Sequence, residues 1–381
     1  MVALLDDRMN RSYAVLLDRQ TLERDTSLVK SYLIESRLAE ESPHDQVPEL
    51  LERVLASELL GTPQNPVRAV LHSSGDPTLA TINTEMADER FTMFVDFRNP
   101  RFWKVHTMGG SNASDWFVGR LISIGPDLDR AWLPAELLES ISRLGFFRGL
   151  GLDFDLRPFL GDDEDDDQAP VTTLKMQLWG NKAARVLDVL RAEGAFPGQT
   201  TLSKVKVKYR LSDESPDLFT IDDVKFDGKV TARGTSFQSH SDLLSTVQES
   251  YAAIVRATEA VALTWSADTE GAALTGEPLY LRFSSPIRDI EGFCAAVFSA
   301  GDPFRLWGVP REIASRYYRV HAVDLHVGNT LTVEATPDFL RLYLPHGSCG
   351  NTVLRLYTNL QHHFDSQVRA ERVTGERLFG L

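Results

Sequence analysis

Hydrophobic and polar positions along the chain switch between a period of two and a period near 3.6, so strands and helices are both expected. Phe91, Met93, Val95 and Phe97 alternate with Thr92, Phe94 and Asp96, an imperfect strand pattern. Leu279, Leu281 and Phe283 alternate with Tyr280 and Arg282 in the same way. Leu50, Leu51, Val54, Leu55 and Leu59 form one apolar stripe, with Pro48 in the first turn and Gly61 as the stop, which predicts a helix over 47–60. A longer stripe, Leu244, Val247, Tyr251, Ile254 and Val255, predicts a helix capped by Ser239 or Ser241. Helices are also expected over 27–39, 133–144, 290–299, 310–317 and 352–364, and from Asn181 to the stop at Gly194. Strands are expected over 13–17, 150–156, 172–178, 202–209 and 339–344, with a last one in the tail from Arg369. Asp227-Gly228 and Gly328-Asn329 mark the turns of two hairpins.

A pattern occurs twice. Phe146-Phe147-Arg148 leads to Asp153, and Tyr317-Tyr318-Arg319 leads to Asp324. Gly180-Asn181 and Gly350-Asn351 each follow an apolar strand pattern and open a helical one. Upstream, Arg130-x-Trp132-Leu-Pro134-x-Glu136 has a partner in Arg305-x-Trp307-Gly-Val-Pro310-x-Glu312. Three correspondences in one order predict an α+β protein with two ferredoxin-like, βαββαβ-type repeats and an N-terminal helical lobe. The expected division is a mainly helical lobe over 1–85, a first repeat over 86–210, a linking hairpin and helix over 211–276, and a second repeat over 277–381.

Composition narrows the class. The 381 residues carry 54 acidic and 40 basic side chains, a net charge of −14, and 43% are hydrophobic. Those fractions are ordinary for globular proteins and exclude wholesale disorder. The acidic balance disfavours non-specific contact with nucleic acid or anionic membrane. No apolar run approaches the ~18 residues of a membrane span. The first eleven residues are too short and too acidic for a signal peptide. Two cysteines, Cys294 and Cys349, make no disulfide framework. A cytoplasmic location follows as the expectation.

The most distinctive polar pattern is Lys204-Val-Lys206-Val-Lys208-Tyr-Arg210. On a strand it sends four cations to one face, and Lys225, Lys229 and Arg233 follow on the next strands. Such a face suits an anion or single-stranded nucleic acid. The plainer alternatives are lysines guarding a sheet edge, or neutralisation by the acidic run 162–167. Arg148-Gly149-Leu150-Gly151-Leu152 has the outline of an RNA-recognition sheet motif, but leucines replace the stacking rings.

His346-Gly347-Ser348-Cys349-Gly350-Asn351 lies between a strand and a helix, where the helix dipole favours a thiolate. Cys349 as nucleophile with His346 or His326 as base would make a Cys-dependent hydrolase. The matching Trp179-Gly180-Asn181 has neither group, so the shared scaffold does not require them. A small buried cysteine in a turn is the blander alternative. The loop lacks the Gly and Lys spacing of a nucleotide triphosphate site. His362 and His363 diverge by about 100° on a helix, so no metal site is expected. The recurring Trp132 and Trp307, and the paired aromatics, point to core packing more than to a ligand pocket.

With no nucleotide loop, metal cluster or repeated polar triad, the expected function is a non-enzymatic binding or adaptor protein with protein partners and no cofactor. Nucleic-acid binding by the Lys/Arg strand and hydrolysis by Cys349 are the alternatives.

Overall fold

A computed structural model describes residues 1–17, 28–86, 89–159, 172–192, 198–268 and 271–379. These residues form a mixed α+β fold with eight α-helices and large antiparallel sheets. They group into two units, each assembled from several chain segments. One contains Met1–Ala131, Ile141–Phe147 and Lys206–Glu249; the other contains Trp132–Ser140, Arg148–Val205 and Ser250–Leu381.

The first unit is built on an antiparallel sheet. Its strand order is Val67–Ser73, Leu79–Met86, Glu89–Asp96, Phe102–Thr107, Val29–Ser36, Lys229–Gly234 and Thr220–Lys225. The short strand Leu128–Arg130 also pairs with Val29–Ser36, through Ile34 opposite Arg130. One sheet face sends Tyr32, Ile34, Met93, Val95, Trp103 and Val105 into a core shared with Val47, Leu50, Leu51 and Val54 of the helix Gln46–Leu55 and with Phe117, Val118 and Leu121 of the helix Ser111–Ile124. The opposite face sends Val29, Phe94 and Ala232 against Leu5 and Met9 of the helix Val2–Leu17 and Phe237 of the helix Phe237–Glu259.

The second unit pairs a seven-stranded antiparallel sheet with the helix Gly350–His363. The strand order is Leu306–Gly308, Tyr317–Asp324, Thr330–Ala335, Phe339–Tyr343, Leu279–Arg282 and Arg369–Glu371, with Arg311–Ala314 also on Tyr317–Asp324. Val320, Ala322, Leu331, Val333, Leu340, Leu342, Leu279 and Leu281 are buried on one sheet face. The helix is buried almost all round: Val353, Leu354, Leu356, Tyr357 and Leu360 supply apolar packing. Several of its polar side chains find partners. The Arg355 guanidinium meets the Asp324 carboxylate in the interior, the Arg355 Nε–H donates to the Phe304 carbonyl at 2.7 Å, and Thr352 Oγ1 donates to Asp324 Oδ2 at 2.6 Å. The Tyr357 hydroxyl donates to Glu136 Oε1 at 2.6 Å. Phe159, Phe293 and Phe364 stack and tilt together, with centroids 4.7 to 5.4 Å apart. A second antiparallel pair, Phe146–Asp155 with Thr173–Trp179, runs from Gly149 opposite Trp179 to Asp155 opposite Thr173.

Several expectations change. The segment 27–39, expected helical, supplies the strand Val29–Ser36, all eight residues of which are buried. Residues 13–17, expected extended, end the helix Val2–Leu17. The first 85 residues therefore hold helices and strands together rather than a mainly helical lobe. Residues 310–317, expected to repeat the helix after Pro134, form the strand Arg311–Ala314 instead. A left-handed residue, Arg316 at φ 58°, turns it back onto Tyr317–Asp324. The acidic run 162–167 and the stop at Gly194 lie outside the described residues. No helix is long and apolar enough to cross a membrane among the described residues.

Candidate functional site

The strand Leu202–Tyr209 forms where it was expected, but its cations are engaged within the fold. In the first unit, Lys206 is 8% exposed and its Nζ lies 3.1 Å from Asp223 Oδ1. Arg233 approaches the other Asp223 oxygen at 3.9 Å. The Lys208 ammonium sits 3.7 Å from the Phe219 ring centroid, and the Arg210 guanidinium 5.5 Å from that of Phe146. Lys229 is buried and pairs with Asp115 at 2.6 Å, and Lys225 is half-buried. In the second unit, Lys204 lies 5.2 Å from the Trp179 ring centroid. The aliphatic stems and charges of this strand thus cover aromatic rings and answer carboxylates.

The Cys349 loop belongs to the second unit. Cys349 is buried at the start of the helix Gly350–His363, and no disulfide joins it to Cys294. The next amide, Gly350 N–H, donates to Glu259 Oε1 at 2.9 Å. A carboxylate therefore occupies the positive end of the helix, where it opposes a second negative charge on the neighbouring sulfur. His346 turns its Nδ1 to Thr264 Oγ1 at 3.3 Å, and its backbone N–H donates to Leu263. His326 is buried, with its backbone N–H on Asp324 Oδ1 at 3.1 Å. Burial pushes the other thiol, Cys294, up to about 12.

A third constellation was not anticipated. On the sheet face beneath the helix Phe237–Glu259, Ser31 Oγ lies 2.7 Å from His106 Nδ1 and 2.8 Å from His240 Nε2. His240 Nδ1 lies 2.8 Å from Asp222 Oδ1, which also accepts from Thr220 Oγ1 at 3.0 Å. Ser31 and His106 meet because they are partners across adjacent antiparallel strands. His240 reaches them from the first turn of the covering helix.

One assignment of tautomers, with Asp222 as the carboxylate, satisfies each of these contacts. Asp222 Oδ1 takes the His240 Nδ1–H, so His240 Nε2 accepts from the Ser31 hydroxyl. The hydroxyl oxygen then accepts from His106 Nδ1–H. His106 Nε2 and Asp222 Oδ2 are left buried without a hydrogen-bond partner.

Burial, with His240 alongside, pushes the His106 imidazole down to about 3, so it stays neutral. Burial raises the Asp222 carboxyl, against the opposing pull of His240. Two strands over on the same face, Asp96 lies 3.8 Å from Lys104 Nζ. Burial works to raise Asp96, but the hydrogen bond from Arg98 and the charge of Lys104 outweigh it and hold the carboxyl below its usual range.

The contact order serine, histidine, aspartate is the one that activates a hydroxyl nucleophile. A nucleophile must also be reached. Ser31, His240 and Asp222 are each 0% exposed and His106 is 1% exposed. As folded, the relay pins the helix to the sheet and presents no reactive group to a substrate. No local pattern marks it, since its members are separated by 75, 209 and 18 positions. No three His, Cys, Asp or Glu side chains converge as a metal site among the described residues.

A family model described as MJECL33-like protein matches residues 1–378, and the chain belongs to that family. It is 28% identical over 408 aligned positions to the uncharacterized protein MJECL33 of Methanocaldococcus jannaschii, an alignment covering 98% of this chain and 94% of that protein.

Proposed function

We propose that this member of the MJECL33-like family is a non-enzymatic cytoplasmic binding protein, acting as a subunit or adaptor in a larger assembly. One observation carries the reading. The strands Thr264–Asp268 and Gly271–Thr275 form a separate two-stranded hairpin in which Trp265 stands opposite Leu274. Those two side chains are 67% and 60% exposed. A lone hairpin is marginal in water, and tryptophan is among the residue types enriched at the anchors of protein interfaces. Trp307, Val309 and Ile313 of the same unit are also exposed. The engaged lysine strand, the capped Cys349 helix and the sealed Ser31 relay support the same reading, because each candidate for chemistry is occupied by the fold.

The finer reading of the architecture is an internal duplication. Its support is that both aromatic-Arg segments are strands, Phe146–Asp155 and Tyr317–Asp324, and that helices begin shortly after Gly180 and at Gly350.

The test is affinity capture of the full chain from its native lysate, beside the double variant Trp265→Ser/Leu274→Ser. A partner retained at stoichiometric amounts by the wild type and lost by the variant, with the circular dichroism of the two unchanged, is the expected result. An unaltered partner profile, or a solitary chain that turns over a generic ester or peptide substrate, overturns the reading.

A further inference from the structure

The seven-stranded sheet of the second unit buries one face and leaves the other open, and the open face has an unusual composition. Adjacent strands align Arg319, Glu334, Arg341, Tyr280 and Glu371 in one row across the sheet. The neighbouring rows hold His321, Thr332 and Tyr343 on one side, and Phe339, Arg282 and Arg369 on the other.

The rings and guanidinium groups interleave. Tyr280 and Phe339 meet edge to face at 5.5 Å. The Arg282 guanidinium lies 5.0 and 5.7 Å from those two ring centroids, and that of Arg341 lies 5.1 and 5.4 Å from them. Glu334 binds both Arg319 at 2.8 Å and Arg341 at 3.1 Å, and also accepts from the Tyr343 hydroxyl at 3.1 Å. Glu371 binds Arg282 at 2.7 Å.

Five arginines (282, 311, 319, 341 and 369) thus stand beside two glutamates (334 and 371), an excess of three positive charges on one face of a chain whose net charge is −14. Arg282, Arg319 and Arg369 are exposed, and Tyr280, Phe339 and Tyr343 are half-buried.

We propose that this face binds single-stranded nucleic acid. Aromatic side chains on a flat sheet give successive bases a stacking platform, and guanidinium groups beside them stack on bases or hold phosphates. Guanidinium groups already resting on the rings mark where flat cationic and aromatic surfaces are offered together. The positive excess favours an anionic partner over a neutral one, and the rings select exposed bases over an acidic protein surface or a duplex, whose bases are turned inward. The Lys204–Arg210 strand offers a different surface, with its charges answered by Asp223 and by aromatic rings.

The test is fluorescence anisotropy of labelled 20-nucleotide oligo-dT, oligo-rU and a 20-base-pair duplex with the full-length chain at 50 mM salt. Both single strands are expected to bind at micromolar protein, and the duplex at least ten-fold more weakly. If two to four phosphates are neutralised, the slope of log affinity against log salt is about −1.4 to −2.8. Tyr280→Ala and Phe339→Ala should each weaken binding on the order of ten-fold, and Tyr280→Phe should retain it. Arg282→Gln/Arg341→Gln keeps the rings and should flatten the salt slope. It serves as the second probe where an alanine variant fails to fold by circular dichroism. A preference between oligo-rU and oligo-dU, which differ only in the 2′-hydroxyl, assigns the sugar. Absence of binding to both single strands at 50 µM protein overturns the proposal. So does duplex binding of equal strength, or binding insensitive to these variants and lost on Lys204→Glu/Lys208→Glu.

Discussion

The buried relay makes the stability of the first unit depend on pH in a calculable way. His106 is 1% exposed, and burial, reinforced by His240, lowers its pKa from 6.5 to about 3. The unfolded chain takes up a proton at His106 near pH 6.5, and the folded chain does not until about pH 3. Between those limits the unfolded state binds more protons, so stability falls as the pH falls, by about 1.4 kcal/mol per unit. At pH 5 the loss from this one group is about 2 kcal/mol relative to neutrality. Asp222 acts in the opposite sense: its raised carboxyl contributes stability that is lost as the pH rises through the folded value. The useful measurement is therefore a difference between two proteins that both retain Asp222, His240, Asp96, Lys104 and Arg98. In His106→Asn the amide nitrogen replaces the Nδ1–H donor to Ser31, and the titrating group is gone. Hydrogen exchange of peptides covering 29–36 and 102–107, corrected for intrinsic rates, reads the local opening free energy from pH 7 to pH 5. The wild type should lose about 2 kcal/mol more than His106→Asn over that interval. Parallel curves would refute the assignment of a neutral, desolvated His106.

In the second unit, Arg355→Leu should destabilise by about 3–5 kcal/mol, because it leaves Asp324 buried and without its guanidinium; urea denaturation followed by circular dichroism measures it. Iodoacetamide at pH 7 should label neither Cys294 nor Cys349 in the native chain and both in urea, since both are buried; rapid native labelling of Cys349 would revive the hydrolase reading. Lys206→Glu sets a carboxylate against Asp223 and should cost on the order of 3 kcal/mol, whereas Lys204→Glu, lying over the Trp179 ring, should cost less than half of that; equal effects would show that the Asp223 pairing contributes nothing.

Which parts of this fold are visible in its sequence depends on how far each residue's partners lie along the chain. Where local chemistry decides, the expectation matches. Asp227-Gly228 joins Thr220–Lys225 to Lys229–Gly234, and Gly328-Asn329 joins Tyr317–Asp324 to Thr330–Ala335. The stripe of Leu50, Leu51 and Val54 is the buried side of Gln46–Leu55, and Leu244, Val247, Tyr251 and Val255 are fully buried on the long helix. These elements carry their instructions in turn residues and in one apolar face.

The strand Val29–Ser36 carries none of those signals, and it is the element around which the first sheet is laid. A strand buried on both faces loses the alternation that would identify it. Here polar residues make the disguise complete, because Lys30, Ser31 and Glu35 are buried too. Each is answered by a group far along the chain: the Gly109 carbonyl for Lys30, His106 and His240 for Ser31, and Arg101 for Glu35. Desolvating those side chains is tolerable only in the finished fold, so no window of local sequence can predict it. The open aromatic and arginine face was hidden for a related reason. Tyr280, Arg319, Glu334 and Arg341 are scattered over 61 positions, and only the strand register lines them up. The Lys204–Arg210 strand is the reverse case. Its charges are conspicuous because they are contiguous, and contiguity is also what lets one neighbouring strand, with Asp223, take up its most deeply buried charge, Lys206. Side chains that alternate along a strand reveal a face, but whether that face is offered to a ligand is decided by the strand next to it.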